Sequence, residues 1–262
     1  MVESTVIARA LAWSRHESET LSQSAEPFPH GVVYRSAEFP DFAAVNLVRV
    51  AGDPGWSAAE AAAFADQALR GAANRLIIFE DVGAGERLRA GLGRLGYMTT
   101  RIVWMRHRGG PAPVRSPGSS FPGATDRVEL REVPHAAVNQ LRAEWLHEDF
   151  GDRDMADYIA QSARARARLN TRTIAAFRGA QPIGFSAVDI DGDGAEVGAV
   201  FVRAPFRGQG VGTLLTVAGI DAAGSVADLW ISADDEDRPK DLYARLGFAP
   251  VLRVMDCIRL GS

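Results

Sequence analysis

Hydrophobic and polar positions change period in a regular order along the second half of the chain. "VELREV" (128–133) alternates like a short strand, and Val138, Leu141 and Trp145 then follow at helical spacing, with Pro134 near the helix start. A second helix is predicted over roughly 153–169. "TRTIAAF" (171–177) and "PIGFSAVDI" (182–190) read as a hairpin across "RGAQ". "EVGAVFV" (196–202) reads as a buried strand, 210–223 as a helix, and "DLWIS" (228–232) as another strand. A helix around 238–246 and a final strand pair from 248 close the pattern. The predicted order is β-α-α-β-β-β-α-β-α-β, an α/β domain of the α+β type with a mixed sheet.

The first half carries an echo of this pattern. "LGRLGYMTTRIVWM" (92–105) aligns without gaps on "YARLGFAPVLRVMD" (243–256), which places Leu92 on Tyr243. The same offset lays "RVAGDPGWSAAEAAA" (49–63) on "VFVRAPFRGQGVGTL" (200–214) and "LIIFE" (76–80) on "ADLWI" (227–231). Three matches at one offset indicate an internal duplication. Between the copies, "HRGGPAPVRSPGSSFPGATDR" (107–127) is dense in Pro, Gly and Ser, the composition of a linker. The predicted division is a degenerate domain at 1–108, a linker at 109–126 and a complete domain at 127–262.

Composition narrows the class. The 262 residues are 47% hydrophobic and 24% charged, a profile that suits a well-cored globular protein. A net charge of −4 gives no electrostatic reason to expect a nucleic-acid partner. One cysteine, Cys257, excludes an intramolecular disulfide and a cysteine-built zinc site, and its strand-like surroundings make it a buried structural thiol. The five histidines show no metal spacing, so no metal is expected. No apolar run approaches a membrane span, and "MVESTVIARALAWSRHESETL" lacks a signal-peptide core, so the expectation is a cytoplasmic protein with no membrane partner.

The densest chemistry lies in "APFRGQGVGTLLTVAGI" (204–220), where Arg207 and three alternating glycines precede an apolar helix. Gly208, Gly210 and Gly212 carry no side chain to keep a ligand away, and a helix N-terminus offers unpaired N–H groups to an anion. Arg-x-x-Gly-x-Gly alone is a weak signal whose plain alternative is a capping loop. Preceded by a buried strand and followed by a strand and "LYARLGF" (242–248), it gains meaning. The combination resembles the Gcn5-related N-acetyltransferase (GNAT) superfamily, over about 128–260. The first half resembles a partial copy, as in tandem members. One position departs from the family: Glu236 stands seven residues before the tyrosine, where Asn is common, which puts that Asn's cofactor contacts in doubt.

The resemblance implies acetyl-CoA as co-substrate, held by Val200, Phe201 and Val202 of the strand and by Arg207, Gly208, Gln209, Gly210, Val211, Gly212 and Thr213 of the loop. It implies acetyl transfer to a primary amine of a small molecule or peptide, by direct attack on the thioester, with a homodimer left open. Backbone N–H groups of the strand at 199–202 would bind the oxyanion. Tyr243 is the natural acid for the departing thiolate, against the reading of a half-buried helix tyrosine. Glu196, eleven residues before Arg207, has the spacing of a base glutamate in the histone-acetylating branch; the alternative is a solvated carboxylate. His147, Glu148 and Asp149 follow the domain's first helix, where family members line the acceptor site. The acceptor's identity stays open.

Competing readings are weaker. "GQGVGT" lacks the Gly-x-Gly-x-x-Gly of a dinucleotide fold, though Asp234 sits roughly where a ribose-binding acid would. A Walker loop fails for want of Gly-Lys-Ser/Thr. A non-catalytic acyl-CoA-binding or regulatory module is the alternative of a different class, and a retained Tyr243 argues for the enzyme. Asp189-x-Asp191-x-Asp193-Gly194 imitates the start of a calcium loop but ends in Val200 at the twelfth position, so it reads as a hairpin turn. Arg164, Arg166 and Arg168 read as a solvated surface. "DDED" (234–237) reads as a helix-start acid cluster able to attract a cationic acceptor. In the first half Trp56, Ser57, Ala59 and Ala61 stand where Arg207, Gly208, Gly210 and Gly212 do, and Ser57 with Glu60 forms a capping box, so no second site is expected.

Overall fold

A computed structural model describes residues 2–109 and 128–261. The predicted linker, 109–126, lies, Gly109 apart, outside the described residues. The chain divides into two compact units. The first comprises 1–104, 233–240 and 250–262, and the second 105–232 and 241–249. These units do not follow the linear division at 108 and 127, because two segments of the second half pack with the first.

The first unit opens with α1 (Val2–Leu21), followed by β1 (Ser24–Phe28), β2 (Gly31–Arg35), β3 (Leu47–Val50), α2 (Ala58–Ala68), β4 (Arg75–Phe79), α3 (Val82–Arg94) and β5 (Met98–His107), whose last residues belong to the second unit. Strands β1, β2 and β3 form an antiparallel meander, and β4 joins β3 in parallel across α2. The core packs Val48, Val50, Ile77 and Phe79 against Ala61, Ala65, Leu88 and Leu92 of α2 and α3. Sequence pattern assigns no element to α1. Its inward face explains why: Ser14 and Ser18 lie there, with Ser18 Oγ donating to Ala44 O at 2.9 Å and the buried Arg49 donating to Ser14 O at 2.7 Å. A helix that buries hydroxyls does not display an apolar stripe.

The second unit contains β6 (Val128–Val133), α4 (Asn139–Phe150), α5 (Ala156–Arg166), β7 (Thr171–Arg178), β8 (Gln181–Asp191), β9 (Gly194–Val202), α6 (Val211–Ala223), β10 (Asp228–Asp234) and α7 (Pro239–Arg245). Its order matches the predicted one, with a 3-10 turn at His135–Val138 leading into α4. Strands β6 to β9 run antiparallel in sequence order, and β10 joins β9 in parallel across α6. One face packs Ala176, Ile183, Val200 and Val202 on Val211 and Leu215 of α6. The opposite face packs Phe185, Ala199 and Phe201 on Val138, Leu141 and Trp145. The Asp-rich segment is a hairpin turn between β8 and β9, as expected, with Gly192 at φ +52°.

The predicted final strand pair is a single long strand, β11 (Phe248–Arg259). It lies antiparallel to β4, from Met255 opposite Phe79 to Arg259 opposite Arg75, and this pairing draws 250–262 into the first unit. Element order supports the duplication: β1-β2-β3-α2-β4-α3-β5 repeats as β7-β8-β9-α6-β10-α7-β11. Cys257 is fully buried on β11, where burial and Asp256 push its thiol well up, out of the reactive range. No described helix is long and apolar enough to cross a membrane.

Candidate active site

Two parallel strands that should pair along their length do so only at one end. The ladder between β9 and β10 runs from Gly194–Asp228 to Val197–Ile231, while β9 continues to Val202. A bulge causes the departure. Against β8, the register passes from Ala187–Ala199 to Val188–Val197, which leaves Gly198 without an opposite residue. Before the bulge Val197 faces α6, since a Cβ on Gly219 would sit 3.0 Å from its Cγ1. After it, Val200 and Val202 face α6, while Ala199 and Phe201 face α4. The extra residue turns the strand and increases its twist, so alternate N–H groups beyond 198 point away from β8 with no ladder to join. In the first unit the equivalent strands stay together. All of Leu47–Val50 pairs with Leu76–Phe79, and Glu80 N–H extends the ladder to Val50 O at 2.9 Å.

Beyond β9 a 3-10 turn, Ala204–Phe206, leads into the glycines. Gly208 (φ +74°) and Gly210 (φ +83°) occupy left-handed backbone that a side chain would strain, and nothing lies within 4 Å of a Cβ placed on Gly208. Gly210 is the N-cap of α6 and supplies no side-chain acceptor. The first N–H groups of α6, on Val211, Gly212 and Thr213, therefore face an end of the helix that no cap side chain closes. Helix α2 is the reverse case: Ser57 accepts from Glu60 N–H while Glu60 Oε2 accepts from Ser57 N–H at 2.8 Å. Trp56, standing in for Arg207, packs into an aromatic cluster with Phe28 and Phe64. The capping box expected from the sequence is formed.

Side chains around the loop are committed. Arg207 Nε donates to Val202 O at 2.7 Å, Nη2 donates to Glu148 Oε2 at 2.6 Å, and the guanidinium lies 5.6 Å over the Phe201 ring. It thus sits on the α4 face, and the glycine loop offers backbone in its place. Gln209 Nε2 donates to Pro205 O at 2.9 Å. His147, Glu148 and Asp149 form the last turn of α4 itself rather than following it. Asp149 is pushed up, first by burial and then by Glu148. His147 is exposed, 3.6 Å from Asp152.

Glu196 shares a face with Asp189, its cross-strand partner, and accepts a hydrogen bond from Ser232 Oγ at 3.1 Å. Ser232 stands one residue past the end of the ladder; nothing in its sequence context marks it, whereas Gly198 inside a strand pattern is a readable bulge signal. Tyr243 is buried on α7, its ring edge-on to Phe248 at 6.4 Å. Its neighbour Leu242 approaches the start of α6, 3.6 Å from a Cβ placed on Gly212. Helix α7 therefore lies on the α6 side of the sheet and Glu196 on the other.

Two expectations need correction. Arg166 is half-buried and paired rather than a free surface charge: Nη1 meets Asp189 Oδ2 at 2.7 Å, and Thr171 also donates to that carboxylate. "DDED" precedes α7 rather than starting it, and its two central acids are ion-paired. Asp235 takes Arg101 at 3.0 Å and Arg253 at 2.8 Å, and Glu236 takes Arg89 at 2.7 Å. These arginines hold both carboxylates below their ordinary range, while Asp234 and Asp237 accept from the backbone N–H groups of Glu236 and Arg238. Among the described residues no cluster of His, Cys, Asp and Glu could hold a metal ion.

Residues 135–248 match the model of the acetyltransferase (GNAT) family. No curated protein matches the sequence. Among solved structures, a conserved protein of unknown function from Staphylococcus epidermidis ATCC 12228 superposes with a TM-score of 0.67 at 13% identity, over 95% of this chain and 98% of that one. A GCN5-related N-acetyltransferase from Kribbella flavida gives 0.51 at 18% identity, over 97% and 96%. A tandem GNAT protein from the clavulanic acid biosynthesis pathway gives 0.50 at 17%, over 82% and 75%. At these identities the likeness is one of fold.

Proposed function

Since residues 135–248 match the model of the acetyltransferase (GNAT) family, we propose that the chain is an acetyl-CoA-dependent N-acetyltransferase with one competent site, in its second half, acting on a primary amine. The observation that carries the reading is the uncapped, side-chain-free start of α6 directly beyond a strand that leaves its neighbour at a bulge. That end suits an anion: Gly208 leaves open space, and the N–H groups and helix dipole favour negative charge. The first half closes both features with its own residues, so it holds no second site.

In this reading the donor's phosphates rest on the N–H groups of 208–213, and its pantetheine arm runs along Val200–Val202. Outward N–H groups of that strand stabilise the oxyanion as the amine nitrogen bonds to the thioester carbonyl carbon. Glu196, oriented by Ser232, takes a proton from the amine, directly or through water. When the carbon–sulfur bond breaks, Tyr243 gives its proton to the thiolate. The base and the acid stand on opposite faces of the sheet, which suits an amine and a thiolate on opposite sides of one carbonyl.

Titration calorimetry with CoA checks the cradle, with one site per chain expected; two equivalent sites would contradict the closed first half. A screen of amines with thiol-release detection checks the chemistry. Tight CoA binding with no amine consumed would replace the enzyme by a binding module.

A further inference from the structure

The last half of α4 is held to its domain by little packing. The helix buries Leu141 and Arg142 near its start, where Arg142 donates to Asn139 Oδ1 and Ile159 O and bonds Ser162. From Glu144 to Phe150 no residue is fully buried. Trp145 rests on the Phe201 ring, 6.2 Å between centroids and 17° from parallel. Trp145 also packs on Phe185, and two ion pairs add further anchors. Glu144 and Glu148 stand one turn apart on one face of α4, and Arg203 and Arg207 stand at the two ends of the turn that leads into the glycine loop.

Glu144 takes Arg203 through two bonds, Nε at 2.6 Å and Nη2 at 2.5 Å, while Arg203 Nη1 donates to Pro182 O at 2.8 Å. Glu148 takes Arg207 at 2.6 Å. Each arginine is also fastened to backbone, so neither pair is a loose surface contact. An isolated exposed ion pair holds little. Two pairs at matched spacing, one of them bidentate, share the cost of ordering and fix an orientation.

We propose that the Glu144–Arg203 and Glu148–Arg207 pairs clamp α4 to the cofactor loop, so that filling the glycine loop also immobilises residues 144–150 on the acceptor side. Donor occupancy is thereby passed to the surface that meets the amine, and the four residues are positioning residues. The inference rests on the reading of 207–213 as the CoA loop. Arg207 serves it better than it would serve a phosphate directly, because its guanidinium already lies on the α4 face over Phe201.

Hydrogen exchange of the full chain, with and without CoA, tests it. In the unmodified protein CoA should slow exchange several-fold in both 208–214 and 144–150. In the Glu144→Gln, Glu148→Gln double variant, which keeps side-chain shape, 208–214 should still be slowed and 144–150 should not. Reversing one pair with Glu144→Arg and Arg203→Glu, with Glu148 intact, should restore the coupled slowing. Persistent slowing of 144–150 in the Gln variant, or faster exchange there on adding CoA to the unmodified protein, would overturn the clamp. No slowing at 208–214 in the unmodified protein would overturn the CoA reading, and the clamp with it.

Discussion

Tyr243 is 6% exposed and its ring packs edge-on to Phe248, so Tyr243→Phe removes one hydroxyl and keeps the packing. If that hydroxyl protonates the thiolate, acetyl-CoA affinity should hold while turnover falls roughly 10²–10⁴-fold, the range of a lost general acid. Steady-state kinetics beside CoA calorimetry would show this; unchanged turnover would remove Tyr243 from the mechanism. The left-handed backbone of the glycine loop was legible in the sequence, because glycine is the residue that adopts it without strain. Ser232 was not, since its role exists only because β9 and β10 part immediately beyond Ile231 and bring its hydroxyl to Glu196. Arg207 was legible as a residue and misleading as a direction. Its guanidinium turns to Glu148, fifty-nine residues earlier in the chain, a partner that no local pattern announces.

Helices α2 and α6 answer the same structural need in opposite ways. Both cross between parallel strands, but α2 closes its N-terminus with Ser57 and Glu60 and α6 leaves its own to a glycine. Gly212→Glu should separate the two tasks. The position has ordinary space for a Cβ, 3.6 Å from Leu242, and a carboxylate in the first turn favours the helix dipole. The same charge repels a phosphate by about 4 kcal/mol at 4 Å in surroundings of effective dielectric ~20. Thermal stability should be unchanged or slightly higher while CoA affinity falls on the order of 100-fold or more. Melting curves paired with calorimetry read both, and retained affinity would move the cradle elsewhere. The elements of the second half were readable because their periods are clean. Helix α1 was not, because the face it buries mixes Ala10 and Leu21 with the hydroxyls of Ser14 and Ser18.

At the scale of the molecule, β11 buries an acid as it joins β4. Asp256 lies beside Ile78 of β4, and its Oδ1 is buried with no hydrogen-bond partner. Burial pushes its carboxyl up to about 6, against the pull of Arg49. A folded-state value above the unfolded ~3.9 means that the folded chain holds the proton longer, so stability falls as pH rises through this window and stays lower above it. Asp256→Asn should therefore stabilise the first unit at pH 7, on the order of 1–3 kcal/mol, with the gain shrinking as pH falls from 6 toward ~4. Denaturant melts of both proteins across that range would show it, and a gain independent of pH would point to another cause.

Local sequence determined what depends on neighbours a few residues apart: the strand and helix periods, the uncapped glycine entry to α6, the capping box at Ser57, the duplication, and the likeness to an acetyltransferase. Tertiary structure alone decided what depends on residues far apart in the chain. It placed β11 against β4, across a separation that no periodicity encodes. It also paired Asp235 and Glu236 of "DDED" with Arg89, Arg101 and Arg253, since a charge repels or attracts according to what surrounds it in space and not in sequence.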